Sequence, residues 1–297
     1  AGDVVQEDAN AGIDTVRSSI SNVLGANFEN MLLVGAANSA GGGNGLNNLI
    51  LGGLGNNKIW GGVGNDTLSG GADVDTLYGR GGADTLNGEA GDDAIYGGDG
   101  DDIGNGGGDN DLIDGGNNND TLIGGDGDDE LYGRQNNDTL SGDGGADDLY
   151  GGDGDDTLDG GTGDDVIDAG NGADRLDGGL GADTLISGPG ADTFVFSSPL
   201  GGGNVDSIAV FVVVDDTIEL SVSIFSAIGL GALAANAFVI GAAAADGDDR
   251  IIYDPVTGAL PWVDWALLTV LALSVLIGLF RGLVFELMSL AGWLVAY

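Results

Sequence analysis

Between Gly52 and Val195 the hydrophobic residues recur singly, one in every nine. Cut from Gly52, the units read GGLGNNKIW, GGVGNDTLS, GGADVDTLY, GRGGADTLN, GEAGDDAIY and so on to SGPGADTFV, which makes 16 units. The eighth place is apolar in 15 units, Gly104 being the exception, and the sixth is Asp in 15, the exception being Asn57. The fourth is Gly in 12, with Asp73, Asp109, Asn118 and Asn136 in the others. Gly, Asn and Asp are the residues that best tolerate left-handed backbone, so the fourth place is conformational and a tight turn recurs in every unit. Places seven to nine predict a three-residue strand with only its middle side chain facing inward. So short a strand is not stable alone. Stacking pairs the backbones of neighbouring units and buries a ladder of Leu68, Leu86 and their equivalents. Two facing units close one coil of about 18 residues, and eight coils at about 4.8 Å spacing give a rod roughly 38 Å long.

The predicted fold is all-β: a right-handed parallel β-roll, a solenoid with two units to each coil, with β-rich caps and a hydrophobic helical C-terminal tail. Four regions are expected: an N-terminal cap over 1–51, the roll over 52–195, a C-terminal capping region over 196–260 and the tail over 261–297. In the first, Ile13, Val16, Ile20, Val23, Leu24, Phe28, Met31 and Leu33 supply irregular strands for an opening coil. Gly43 to Leu51 (GNGLNNLIL) reads as a degenerate unit with Asn in place of Asp, so the roll is expected to begin near there without a metal. In the third region, strands are expected at 193–197 and 250–253. Its core candidates are Phe194, Phe196, Ile208, Phe211, Ile218, Leu220, Phe225, Leu230, Phe238 and Ile252.

Charge changes this picture. The chain carries 48 acidic and 7 basic residues, a formal net charge of -41. Residues 52–195 hold 31 Asp and 2 Glu against 4 basic residues. One apolar side chain per unit buries little, while ordering costs about 1–2 kcal/mol per residue. Apolar burial alone should leave the repeat disordered. Nucleic acid is excluded as a partner, an anionic membrane surface would repel the chain, and cations are its natural partners. With no Cys and no His there are no disulfides, thiol nucleophiles, histidine bases or zinc sites of the usual kind. No GxSxG elbow or other catalytic constellation is present, so the chain is not read as an enzyme. Tyr78, Tyr96, Tyr132 and Tyr150, at the ninth place, read as outward packing residues rather than a sugar platform.

Something must cancel the carboxylates. The sixth-place Asp follows the glycine turn, where it meets backbone carbonyls of its own turn and of the turn one coil away. Hard oxygen ligands of this kind suit calcium. Asp84, Asp102, Asp120, Asp138, Asp156 and Asp174 line one edge, and Asp75, Asp93, Asp111, Asp129, Asp147, Asp165 and Asp183 the other. Each gap between stacked turns is then a place for one Ca2+ ion. Asp206 and Asp216 read as satisfied turn residues, with a further ion as the alternative.

The units resemble the GGxGxDxUx nonapeptide of RTX calcium-binding proteins; GGDGDDTLD at 151–159 and GGTGDDVID at 160–168 are near-ideal copies. The resemblance implies a parallel β-roll, extracellular calcium and export by a bacterial type I system. It also implies that the Asp of GGxGxD gives a carboxylate oxygen while turn carbonyls supply the rest. This carries over to Asp66, Asp84, Asp93, Asp102, Asp129, Asp147, Asp156, Asp165, Asp174 and Asp183, whose turns keep Gly at the fourth place. Asp138, in GRQNND with Arg134, is expected to mark a weak site. The flanks GIDTVRSSISNVLGANFENMLLVG (12–35) and ADTFVFSSPLGGGNVDSIAVF (191–211) resemble the segments that open and close such arrays.

The tail departs from that pattern. Ala266 to Phe280 is an uncharged apolar run. It falls a little short of the roughly 20 residues a membrane helix needs, which makes it borderline. Val263–Leu268, Leu276–Gly278, Leu279–Gly282 and Ser289–Trp293 resemble the N-terminal membrane segment of CvpA-type proteins, linked to colicin V production. A membrane anchor, a packed helical pair joining subunits into a homo-oligomer or filament, and a segment foreign to the repeat protein all stay open. The expected function is calcium binding by a secreted or cell-surface module that folds on binding. The alternatives are the calcium-binding, secretion half of an extracellular hydrolase, and a surface-layer or filament subunit.

Overall fold

The computed structural model describes residues 12–35, 37–198, 204–212 and 215–221. Over these the chain winds as an all-parallel β-solenoid. Successive strands alternate between two sheets. One sheet has 12 strands, from Thr15–Ser18 to Thr217–Leu220, and the other has 11, from Asn22–Val23 to Ser207–Val210. Through the repeat each unit pairs with the one two units further on: Leu68 with Leu86 in one sheet, Ile59 with Leu77 in the other. Two nonapeptides therefore make one coil, as the spacing predicts.

The strands are longer than places seven to nine. Most span six residues, such as Thr67–Ala72 and Thr76–Gly81, and run on through the first three places of the next unit. The glycines of the first and second places are therefore mostly strand residues, while those of the fourth place lie in the turns between strands. The paired register skips the first place, running from Ser69–Asn87 to Gly71–Glu89 past Gly70. Side chains alternate by the strand period of two: along Thr76–Gly81, Leu77 and Gly79 are buried while their neighbours are not.

Two apolar ladders fill the interior, one per sheet. The first includes Met31, Ile50, Leu68, Leu86, Leu122, Leu140, Leu158, Leu176 and Phe194; the second Ile59, Leu77, Ile95, Ile113, Leu131, Leu149, Ile167, Leu185 and Ile208. The first ladder lacks a side chain at Gly104. Across the core, a Cβ added there would fall 2.9 Å from Ile113 Cγ2 and 3.6 Å from Ile95 Cγ2. The β-branched methyls of the opposite sheet take up the missing space.

The ends deviate in instructive ways. The two sheets run through the segment expected to form the N-terminal cap: Asn30–Leu33 and Ala40–Gly42 stack on the first repeat strands. Leu24, Phe28, Met31 and Leu33 are buried, whereas Ile13, Ile20 and Val23 are mostly exposed. At the other end Thr193–Phe196 forms as predicted, and Phe194 and Ile208 are buried with Phe196, Phe211 and Ile218 packed beside them. Thr184 pairs with Ser207 and Thr193 with Thr217, so the chain keeps to the two sheets even where each coil is longer than two units. The strand expected at 250–253, the core candidates Phe225, Leu230, Phe238 and Ile252, and the apolar tail lie outside the described residues. Among the described residues no helix is long and apolar enough to cross a membrane.

Candidate metal centre

Left-handed backbone recurs at two places in every unit but the last, where Gly188 alone adopts it. At the fourth place, Asp73, Asp109, Asn118 and Asn136 adopt φ of 71° to 81°, the conformation their residue types suggested. The second place is also left-handed, even where it is Arg80, Glu89, Arg134 or Asp143. Those four residues conceal it in the sequence. The doubled inversion folds places four to six into a tight turn and sends the sixth-place side chain inward.

Every predicted Asp is there. Asp66, Asp84, Asp102, Asp120, Asp138, Asp156 and Asp174 form one row, and Asp75, Asp93, Asp111, Asp129, Asp147, Asp165 and Asp183 the other, none more than 3% exposed. Within a row, each backbone N–H donates to Oδ1 of the Asp one coil further on. Asp84 donates to Asp102 at 2.7 Å, Asp102 to Asp120 at 2.8 Å and Asp138 to Asp156 at 2.7 Å. The turn expected to be weak at Asp138 keeps this geometry, because Arg134 and Asn136 adopt the left-handed conformations that Gly adopts elsewhere.

The second oxygen is left over. In all fourteen Asp residues Oδ2 is buried without a hydrogen-bond partner. It lies above the first-place glycine of its own unit, facing the first-place carbonyl of the next coil. A Cβ placed on Gly97 would fall 2.5 Å from both Asp102 Oδ2 and Gly115 O; on Gly133 it would fall 2.5 Å from Asp138 Oδ2 and 2.7 Å from Gly151 O. Glycine therefore keeps open a small cradle walled by oxygen. At Ala169 the first place carries a methyl instead, in the unit of Asp174.

Burial makes these carboxylates reluctant to ionise. It lifts Asp102 and Asp120 to about 7 and Asp84 and Asp93 to about 6; the incoming backbone N–H opposes the rise and neighbouring carboxylates add to it. Asp183 is raised the same way, with Asp206 against it. Full ionisation near neutral pH requires a compensating positive charge.

Sequence reasoning left Asp192 out of the first row and gave Asp206 an ion only as the alternative to a turn role. Asp192 extends the first row: its Oδ1 accepts from Asp174 N–H at 3.0 Å and its Oδ2 is buried without a partner. Asp206 extends the second, accepting from Asp183 N–H at 3.3 Å. The insertion before residue 206 hides it from a count by nonapeptides. Asp216 is the satisfied turn residue expected, its oxygens accepting from Asp192 and Val212 N–H. A further ladder stands outside the turns, where fifth-place Asn and Asp side chains accept from the fifth-place N–H one coil on, as Asn119 Oδ1 does from Asn137. It was legible only as polar composition.

Among the described residues no three acidic side chains converge on one point. The donors come in file, one orphaned carboxylate oxygen and backbone carbonyls at each level. This all-oxygen, anionic set fits a hard divalent cation and offers nothing to a soft one. The family model for the RTX calcium-binding nonapeptide repeat (4 copies) matches residues 42–77, 78–113, 114–149, 150–185 and 159–194, together just over half of the chain.

The chain belongs to the RTX calcium-binding repeat family. Calcium is thus the ion implied by both the family and the buried Asp rows, and the RTX roll described above is a non-catalytic calcium-binding repeat module. No curated protein matches the chain significantly.

The outer face of the RTX roll carries the tyrosines of the ninth place. Tyr78 stacks on Tyr96 with ring centroids 5.0 Å apart, and Tyr132 on Tyr150 at 4.7 Å. Arg134 lies over Tyr132 and pairs with Asp114 at 2.7 Å. The ring faces are turned to each other along the rod, so they act as outward packing residues.

Proposed function

We propose that the chain is a calcium-gated structural module, in which Asp66, Asp75, Asp84, Asp93, Asp102, Asp111, Asp120, Asp129, Asp138, Asp147, Asp156, Asp165, Asp174 and Asp183 each offer Oδ2 to Ca2+ between stacked turns. First-place carbonyls complete the oxygen donors, and Asp192 and Asp206 extend the two rows. The observation that carries this reading is the recurrence, level after level, of a buried carboxylate oxygen with no partner. When bound, calcium supplies the positive charge that lets these carboxylates stay ionised inside the rod. The residues do the rest: Oδ1 fixes each side chain through the neighbouring N–H, and glycine holds the cradle open.

RTX proteins are generally extracellular or at the cell surface, and this chain fits that setting. Extracellular modules bind calcium at about 10⁻⁴–10⁻³ M, so such a roll stays unfolded inside the cell and folds outside it. The reading keeps the partition into a cap over 1–51, the roll over 52–195, a capping region over 196–260 and a tail over 261–297. The test is a calcium titration followed together by circular dichroism and light scattering. The expected result is coil with chelator and strand with calcium. A spectrum indifferent to chelator defeats the proposal.

A further inference from the structure

We infer that the N-terminal coils, from Thr15 to Val63, are built to keep their structure without calcium, so that the calcium requirement begins at the coils of Asp66 and Asp75. This rests on the calcium reading above and gives it a boundary. At the head of each carboxylate row the place of Asp is taken by Asn: Asn48 in one, Asn57 in the other. Both are 3% exposed. Toward the next coil they behave as Asp does, Asn48 N–H donating to Asp66 Oδ1 and Asn57 N–H to Asp75 Oδ1.

Toward the turn carbonyls they differ. Asn48 Nδ2 donates to the carbonyls of Phe28 and Glu29 at 3.1 Å each, while its Oδ1 accepts from Asn44 N–H at 2.8 Å. Asn57 Nδ2 donates to the Gly55 carbonyl and, at 3.5 Å, to that of Leu54. An ionised Asp has no proton to offer a carbonyl, so oxygen facing oxygen requires a cation. The side-chain amide brings its own positive end and carries no charge to bury. Neutral and bonded to turn carbonyls, the amide needs no ion beside it; it is Asn48 Oδ1 that lies in the Gly43 cradle with Gly61 O. Asn57 Oδ1 is left without a partner, which makes this the weaker of the two substitutes.

Two independent features point the same way. Residues 12–63 hold Asp14 and Glu29 against Arg17 and Lys58, a balance of charge, whereas residues 64–195 hold 33 acidic residues against Arg80, Arg134 and Arg175. The apolar core is also thicker at this end. Leu24, Phe28, Met31 and Leu33 are all buried within ten residues, where the repeat buries one apolar ladder residue per nine. The N-terminal coils thus have less repulsion to overcome and more burial to oppose it. They present a ready-made pair of strand edges on which the next, calcium-dependent coil can form.

Hydrogen exchange of the full chain, read by mass spectrometry with calcium and with chelator, tests this. The expected result in chelator is slowing of about tenfold or more over residues 30–60 with fast exchange over 64–198, and protection throughout with calcium. Fast exchange everywhere in chelator, with recovery in calcium, overturns the inference and leaves the calcium reading intact. Protection everywhere in chelator overturns the calcium reading itself, and the inference with it. Asn48→Asp is the second arm: it should abolish N-terminal protection in chelator, restore it with calcium, and add one ion to the bound count. Unchanged protection in chelator for that variant would show that the amide is not what holds the turn.

Discussion

At Asp102 one carboxylate oxygen ties two coils together and the other faces oxygen. Asp102→Asn should therefore be tolerated structurally, since an uncharged amide can donate to carbonyls of its own turn as Asn57 does, while the calcium count measured by elemental analysis falls by one. Gly97→Ala acts on the same cradle from below. Its methyl would stand 2.5 Å from Asp102 Oδ2 and from Gly115 O, one a ligand atom and the other backbone, and neither can withdraw freely. A cost of about 1–3 kcal/mol is expected, seen as a higher calcium midpoint in circular dichroism. Ala169→Gly runs in the opposite direction and should lower that midpoint, because it opens the first place of the Asp174 unit, which a methyl now fills. The period made the sixth-place Asp and fourth-place turn residues legible in the sequence. It did not reveal the left-handed second place, because Arg80, Glu89 and Arg134 are residues that seldom adopt such backbone. Asp206 was legible as a candidate but not as a member of the second row, which resumes after an insertion that breaks the count.

Each repeat strand except Ile103–Gly108 contributes one apolar ladder residue, so the ladders have little redundancy. Leu86→Ala should cost about 2–5 kcal/mol in the calcium-loaded protein, read from thermal unfolding, since the coils above and below cannot close over the gap without losing their hydrogen bonds. Gly104→Leu, which restores the ladder on paper, is expected to destabilise as well. The space is already taken by Ile95 and Ile113, and overpacking costs about 1–3 kcal/mol. If Gly104→Leu instead raised the melting temperature, the complementarity argued for those isoleucines would be wrong. Pairing partners and register followed from the nonapeptide period. Strand length did not, because paired glycines are the usual mark of a turn. Here the first place needs glycine for the room it leaves beneath a carboxylate, not for a change of chain direction.

For the molecule as a whole, acid and calcium should act as partial substitutes. In the folded, metal-free rod burial holds the Asp84 carboxyl at about 6 and that of Asp102 at about 7, against an ordinary value of 3.8. The folded state thus binds more protons between those values. This stabilisation is complete below the ordinary carboxyl range and is lost as pH rises through 6 to 7. In chelator, strand content is expected to be greatest at about pH 4 and below and to fall toward pH 8 to what the N-terminal coils retain, and with calcium that dependence should flatten. Strand signal in chelator that grows with rising pH would contradict the burial of these groups. One last consequence follows from the alternation of units between the two sheets. Gain or loss of a single nonapeptide would hand every later unit to the opposite sheet. The Asp rows would hardly register the exchange, since both are alike. The outer decoration would: Tyr132 and Tyr150 would part company with Tyr78 and Tyr96. Insertions and deletions can preserve the ion files in steps of nine, but keep the tyrosine side of the rod intact only in steps of eighteen.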